Sequence, residues 1–387
     1  MSRKHSNNFK KLFNFTRKFS ELCGCDVIKD DYKLDWRTYA IFILINLALS
    51  CTVYSNYIEV IVKGDLYNLL KSASVIGTGV QGYTKLINGL RQQKEIRYLY
   101  REIIDMYETY ELKSLAYKQS LKYNISLVKK LLAITFATVL IVSIGVTVVP
   151  LYMLIFQNIR VDIMPFIFPF IDTSTDFGFY LTFVLHIICV FFGTYGNFIM
   201  DSWLFIYAAH VPLMKNILKC KFDDLDGILE EYPRNVEKSG QLLSDIFKWH
   251  QKYINFCKTI KDTFFWVIAV QIGFEFMGIV CTIVCIFLEI WPPAPAYLLY
   301  ISCLLYSYCS LGNIVEVSND DVIDIIYDCC WYNLTVPEQK MILIMLRESQ
   351  QATGILIGGV VPLSLNTALQ ITKTVYTMSM FLKSSLN

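Results

Sequence analysis

Hydroxyl and amide side chains recur down one face of the last apolar run: Ser364, Thr367, Gln370, Thr374, Thr377, Phe381 and Ser384 stand three or four residues apart, the spacing of one side of an α-helix. Leu365, Leu369, Ile371, Val375 and Met380 occupy the other faces. The run from Pro362 to Leu382 covers about 30 Å at ~1.5 Å per residue, the hydrocarbon thickness of a bilayer. Two readings are open. The stripe lines a water-filled path, or its hydroxyls simply bond the carbonyls one turn back. Ionisable groups inside other apolar runs are the second chemical feature: Asp201, Glu275 and, in the last run, Lys373. Each is costly in hydrocarbon unless paired or water-exposed; Lys373 with one of the acids is a candidate internal pair, and a buried pair or a snorkelling side chain that only fixes helix packing is the alternative to a role in permeation. Catalysis is excluded on motif grounds. There is no glycine-rich phosphate loop, no His-Glu metalloprotease pair and no Gly-x-Ser-x-Gly elbow, and His5, His186, His210 and His250 have no ligand spacing. His186 among Phe179, Tyr180, Phe183 and Leu185 has the composition of a pocket or of ordinary bundle packing.

The elements that must position these residues are membrane helices. Of 387 residues, 55% are hydrophobic and 15% aromatic, and the mean hydropathy is +0.43, too apolar for a soluble domain. Net charge is only +2, so the placement of charges says more than their sum. Met1 to Asp35 is polar and basic with no apolar core of a signal peptide, and the first span is expected to act as the signal. Six of the twelve cysteines, Cys51, Cys189, Cys281, Cys285, Cys303 and Cys309, lie in apolar runs; the other six, Cys23, Cys25, Cys220, Cys257, Cys329 and Cys330, lie in segments assigned to the cytosol. No disulfide framework and no four-ligand zinc spacing follows, and free thiols are expected.

Seven runs are long enough to span: 39–62, 67–89, 131–154, 177–209, 264–288, 295–316 and 362–383. The second, with Lys71, Lys85 and three glycines, is expected to pack inside the bundle. Lys and Arg crowd the N-terminal tail and the segments 90–130 and 210–263, whereas the intervening loops hold only Lys63 and Arg160. Positive residues stay inside, which puts the N-terminus in the cytosol, the C-terminus outside, and the sequons at Asn14, Asn124 and Asn333 on the unglycosylated side. Gln157 to Asp176, with Asp162, Asp172 and two prolines among phenylalanines, is a candidate lid over an outer cavity. Apolar residues at helical spacing between Val211 and Phe264 extend the fourth and fifth spans below the membrane. Pro337 to Glu348 reads as a further helix with Thr335 before it as a cap.

Specific residues then resemble an insect odorant receptor of the odour-tuning kind: Tyr308-Cys309-Ser310-Leu311-Gly312-Asn313, Ile326-Tyr327, Trp331-Tyr332, Lys340, Leu346-Arg347-Glu348-Ser349-Gln350, Pro362-Leu363-Ser364-Leu365 and Lys373-Thr374-Val375-Tyr376, with Asp201, His210, His250-Gln251 and Phe256 upstream. The resemblance implies a tetrameric cation channel of the plasma membrane of a sensory dendrite. In it a tuning subunit assembles with a common co-receptor, a volatile ligand enters the outer half of the bundle, and the seventh helices line the pore. Met378-Ser379 stands where the family often has Tyr-Phe. The co-receptor itself is disfavoured by the short segment 210–263, and a gustatory receptor by the lack of Gln-Phe after Tyr376. A G-protein-coupled receptor is opposed by the inverted orientation, and a transporter by the lack of internal repeats.

The expected architecture is thus an all-α membrane protein: a cytosolic segment 1–38, spans one to four over 39–209 forming the odorant-pocket region, a cytosolic helical extension 210–263, spans five and six over 264–316, a cytosolic connection with a helix over 317–361, and a pore helix with a short outer tail over 362–387. A mostly apolar cavity with a few polar handles is expected from Ser74, Val75, Thr78, Thr147, Tyr152, Phe183, His186, Tyr297, Tyr300 and Tyr306. The pore face is expected from Thr374, Thr377, Met378, Phe381, Ser384 and Ser385. No cofactor, metal or nucleic acid is implied; the partners are the co-receptor, a volatile molecule and membrane lipid.

Overall fold

The computed structural model describes residues 4–29, 32–62, 64, 66–230, 236–289, 291–351 and 354–386. Helices dominate them: α1 Lys4–Leu22, α2 Trp36–Tyr57 running into a π-helical turn, α3 Leu66–Arg91, α4 Gln93–Tyr110, α5 Leu115–Gln157, α6 Asp176–Ala208, α7 Val211–Glu230, α8 Val236–Phe287, α9 Ala294–Asp328, α10 Val336–Ser349 and α11 Leu365–Leu386. Five helical stretches, α2, α5, α6 with α7, α8 and α9, are each long and apolar enough to cross a membrane. The other two expected spans, α3 and α11, carry more polar side chains. In α3 these turn inward: Ser72, Ser74, Gln81 and Lys85 are all buried, because α3 packs against α2, α6 and α8 rather than against lipid.

At one end the helices outlast the apolar runs and are joined by α1, α4, α7 and α10. Leu213, Ile217, Leu218 and Leu225 of α7 pack with Leu243, Ile246 and Phe256 of α8, Ile326 of α9 and Met345 of α10 in the largest core of the molecule. The segment 1–38 hides a helix that was not legible as one. Phe9 and Phe13 on α1 are fully buried, stacked on Tyr107 at 4.8 Å and on Tyr100 at 4.4 Å. The helix expected after Pro337 starts at Val336, where Glu338 accepts from the Thr335 backbone N–H at 2.8 Å and its hydroxyl at 2.7 Å, satisfying donors at the helix start. Both α8 and α9 run unbroken through residues 263 and 316, so membrane and sub-membrane parts share single helices.

Between α10 and α11 lies a small antiparallel hairpin, β1 Leu356–Ile357 and β2 Val361–Pro362. Its loop uses Gly358 (φ 58°) and Gly359 (φ 80°), a left-handed backbone that only glycine adopts cheaply. The chain then passes so close to α9 that a Cβ on Gly312 would sit 1.9 Å from the Leu363 carbonyl oxygen. Glycine at 312 is what lets the last helix start against the ninth.

Candidate functional site

Three helices, α2, α3 and α6, enclose a cavity of about 120 Å3, roughly ten times the space one water needs. Val75, Ile76 and Leu86 of α3, Leu44 and Ala48 of α2 and Phe192 of α6 give it apolar walls. Thr52, Thr78 and Asn197 are its polar handles, the mixture a small organic ligand needs. Gly193 and Gly196 leave space, since a Cβ at either would meet nothing within 4 Å, whereas Gly79 lets α2 pack close, a Cβ there lying 2.7 Å from Leu49.

The loop 158–175 roofs this end, contributing Met164 and Phe166 to the lining. It is pinned from below by His186, which is fully buried: Nε2 lies 3.0 Å from the Phe166 carbonyl, and Nδ1 lies 3.5 Å from the Met164 N–H. The ring therefore donates through Nε2 and is neutral. Ser55 of α2 accepts from Ile167 N–H at 2.8 Å, and Trp291 Nε1 donates to the Ile163 carbonyl at 3.3 Å. These bonds tie the roof to α2, α6 and the start of α9.

Of the expected pocket residues, Val75 and Thr78 line the cavity. Behind them the Tyr297 hydroxyl bonds the Thr78 hydroxyl at 2.7 Å and the Ser74 carbonyl at 3.0 Å, and Tyr300 lies beside Tyr297 with ring centres 6.3 Å apart. Phe183 packs on Phe179, over whose ring the loop residue Arg160 lies at 5.2 Å. Three residues are elsewhere. Thr147 bonds its own helix at the Ser143 carbonyl, 2.8 Å away; Tyr152 is 52% exposed beside Phe156; and the Tyr306 hydroxyl meets Thr372 of α11 at 3.0 Å. Tyr306 and Thr372 belong to a second cavity, about 240 Å3, between α8, α9 and α11.

On α11, Ala368, Val375 and Ser379 are buried against α8 and α9. Gln370, Lys373, Thr374, Thr377, Met378, Phe381 and Ser384 are exposed, Phe381 at 68%. The side chain of Ser385 lies outside the described residues. Each hydroxyl also bonds its own helix: Thr374 to the Gln370 carbonyl at 3.0 Å, Thr377 to that of Lys373 at 3.1 Å, Ser384 to that of Phe381 at 3.0 Å. The two readings of the stripe are compatible, since the side chains are satisfied and still face outward. Ser364 and Thr367 leave the stripe. They turn inward, Thr367 bonding the Pro362 carbonyl at 2.7 Å.

The candidate pairing of Lys373 with a buried acid is corrected: Lys373 is exposed, on the side of α11 turned away from α8 and α9. Lys85 of α3 takes that place. Its ammonium lies 2.6 Å from Asp201 Oδ1, both side chains 2% exposed, and 3.1 Å from Asn197 Oδ1. The Tyr308 hydroxyl donates to the same Asp201 oxygen. Glu275 Oε1 accepts from Gln271 Nε2 at 2.7 Å, and Gln81 Nε2 donates to the Gln271 carbonyl at 3.1 Å.

At the other end of the bundle, burial pushes His210 and His250 down to about 4. His210 Nδ1 donates to the Ile206 carbonyl at 2.6 Å, and His250 Nε2 meets the Ser349 hydroxyl at 2.6 Å, joining α8 to α10. Burial also lowers Lys221, opposed by its bond to Asp245. Asn124 is buried and donates to the Tyr107 hydroxyl at 3.3 Å, so its sequon is sterically closed whichever side it faces. The loop expected as a lid does line the cavity, through Met164 and Phe166; sequence reasoning named none of the walls from α2, nor Cys189 and Asn197. The paired glycines at 79, 82, 193 and 196, at helical spacing, were the available signal.

The chain matches the family described as 7tm odorant receptor over residues 65–376. It is 26% identical to putative odorant receptor 83c of Drosophila melanogaster over 390 aligned residues, 97% of each chain. It is 28% identical to Drosophila odorant receptor 22c over 43% of its length, 42% of that receptor. Its fold is similar to the insect olfactory receptor OR5 from Machilis hrabei in complex with eugenol, with a TM-score of 0.79 at 13% identity, covering 98% of this chain and all of that one. A family match across four-fifths of the length places this chain in the seven-transmembrane odorant receptor family.

Proposed function

We propose that the protein is the odour-tuning subunit of a ligand-gated, non-selective cation channel of the plasma membrane, assembled as a tetramer with a common co-receptor. The observation that carries this is the outward face of α11. A helix packed on one side by α8 and α9 holds Thr374, Thr377, Phe381 and Ser384 on the other. In hydrocarbon such a face calls for water or a partner; four such helices around an axis give it both. Phe381 then acts as the hydrophobic constriction that excludes water when the helices are close, and the hydroxyls partly replace ion hydration when they part. Thr374, Thr377, Phe381 and Ser384 are uncharged, so these four confer no strong ion selectivity.

The ligand is a small, mostly apolar volatile. Val75 and Thr78, backed by Tyr297, contact it beneath the roof formed by residues 158–175, and its binding energy differs between roof and helix arrangements that hold α11 closed or open. The bundle end, rich in Lys and Arg, faces the cytosol, and the roof faces outward.

Currents recorded with the co-receptor co-expressed, against an odour panel, test the whole reading. Single cysteines along 374–384, in a background with reactive native thiols silenced, should allow block of odour-evoked current by an outside thiol reagent at intervals of three to four residues. Block without helical period, or Phe381→Ala leaving both resting leak and ion preference unchanged in channels tested with and without the matching co-receptor change, refutes the pore assignment.

A further inference from the structure

The buried polar cluster between α3, α6, α8 and α9 does not balance. Lys85 and Asp201 neutralise each other, which leaves Glu275 as a second carboxyl, 1% exposed, in the membrane-buried part of α8. An uncompensated carboxylate there is costly. Three oxygens of the cluster have no hydrogen-bond partner: Glu275 Oε2, Asp201 Oδ2 and the side-chain amide oxygen of Gln271, a residue that is fully buried. All three are acceptors. The missing species is therefore a positive centre or a donor, and one negative charge remains to be matched.

A proton on Glu275 removes the charge but answers less of the geometry. A single O–H could serve only one of the two other bare oxygens, the Gln271 amide oxygen or Asp201 Oδ2, whereas a cation takes several at once. Gln271 is held in place, with Nε2 on Glu275 Oε1 at 2.7 Å and its backbone carbonyl taken by Gln81, so its amide oxygen is fixed beside the carboxyl. No group of three or more His, Cys, Asp or Glu among the described residues offers a transition-metal or divalent site. Two carboxylates, one already paired, with an amide oxygen, suit a hard ion of single charge.

We propose that this cluster holds a small monovalent cation of the sodium class, bound by oxygens of Glu275, Gln271 and Asp201. The ion joins α6 to α8 directly. Through Asp201 Oδ1 it is linked to Lys85 on α3 and Tyr308 on α9. It thus sits between helices that wall the ligand cavity and helices that support α11.

The test is thermal unfolding of the purified full-length protein in detergent, in sodium chloride against choline chloride at equal ionic strength. Sodium should raise the wild-type midpoint by a few degrees, saturating with concentration as a ligand of the native state does. Glu275→Gln, which keeps the shape and removes the charge, should abolish the sodium effect; if that variant does not accumulate, Gln271→Leu should abolish it. Superimposed wild-type curves in the two salts overturn the proposal, as does a sodium shift that persists in the variant. A midpoint that moves with pH and not with sodium assigns a proton to Glu275 and also overturns it. None of these readouts requires conduction, so their failure leaves the proposed channel function standing.

Discussion

Replacing Gly312 by alanine should disturb the start of the last helix more than any other single methyl. A Cβ there would lie 1.9 Å from the Leu363 carbonyl oxygen and 2.7 Å from the Leu363 side chain, against a floor of 3.0 Å for real contacts. The chain entering α11 must therefore retreat by at least the difference, 1.1 Å. It is not free to do so. Leu363 is buried, and its N–H bonds the Ile355 carbonyl at 2.9 Å across the hairpin. Overpacking of a well-filled interior costs about 1–3 kcal/mol, and a clash with backbone rather than a flexible side-chain end belongs near the top of that range. Gly227→Ala in α7 is the control, because a Cβ there meets nothing within 4 Å; helix propensity predicts that it stabilises by up to about 1 kcal/mol. Unfolding of the purified variants in detergent reads the difference, and co-expressed channels report whether gating follows it. If Gly312→Ala melts with the wild type, or if both alanines destabilise alike, the close approach of α9 and α11 is not what requires glycine.

Breaking the Lys85–Asp201 pair singly, with Lys85→Met or Asp201→Leu, should cost about 3–5 kcal/mol each by leaving a buried charge, whereas the double variant should recover most of the loss; additive losses in unfolding measurements would refute the pairing. His250 and His210 stay neutral in the fold down to about 4, below the ordinary value near 6.5, so the unfolded chain binds more protons between those limits. Stability should be fully present above pH ~6.5 and fall as pH drops toward ~4, by about 3 kcal/mol for each histidine. A His250→Gln variant with an unchanged pH slope would contradict this. Filling the cavity with Val75→Phe, or removing the handle with Thr78→Val, should shift odour sensitivity or ranking while surface expression persists; unchanged dose-response curves for both remove the ligand from this cavity. Glycosidase should leave the protein's mobility unchanged, and a shift traced to Asn14 or Asn333 would invert the orientation.

The helical spans were legible because composition and period survive any packing: α5, α8 and α9 are apolar over more than a bilayer's thickness, and no local chemistry competes. The weak hydropathy of α3 likewise pointed correctly to a helix buried among others. The helix α1 was missed because Phe9, Phe13, Thr16 and Ser20 share one face within a basic segment whose charge masks that stripe. Lys373 was given the partner that Lys85 has, since sequence shows depth along a helix but not which way its side chain points. For the cavity, residue types named Val75 and Thr78 in the wall and Tyr297 bonded behind Thr78, yet Tyr152 and Tyr306 were drawn in on aromatic character alone. The roof was legible as a lid from its prolines, phenylalanines and aspartates, but the walls from α2 depend on which helices touch, and periodicity carries no signal for that.

The length of α8 has a mechanical consequence. Val236–Phe287 is one helix of 52 residues, about 78 Å at ~1.5 Å per residue, spanning both the membrane part and the bundle beneath it. It therefore behaves as a strut, and a tilt imposed near its outer end, where it flanks α3 and α11, must reappear at its far end rather than be absorbed at a joint. About 5° over half its length moves the other end by roughly 3–4 Å, comparable to the helix displacements by which multi-subunit proteins switch. The far end carries His250 against α10 and Lys252 against α4, contacts that would register such a swing. In the assembly proposed above, subunits docked through that end would feel a ligand bound beneath the roof without any segment having to unfold.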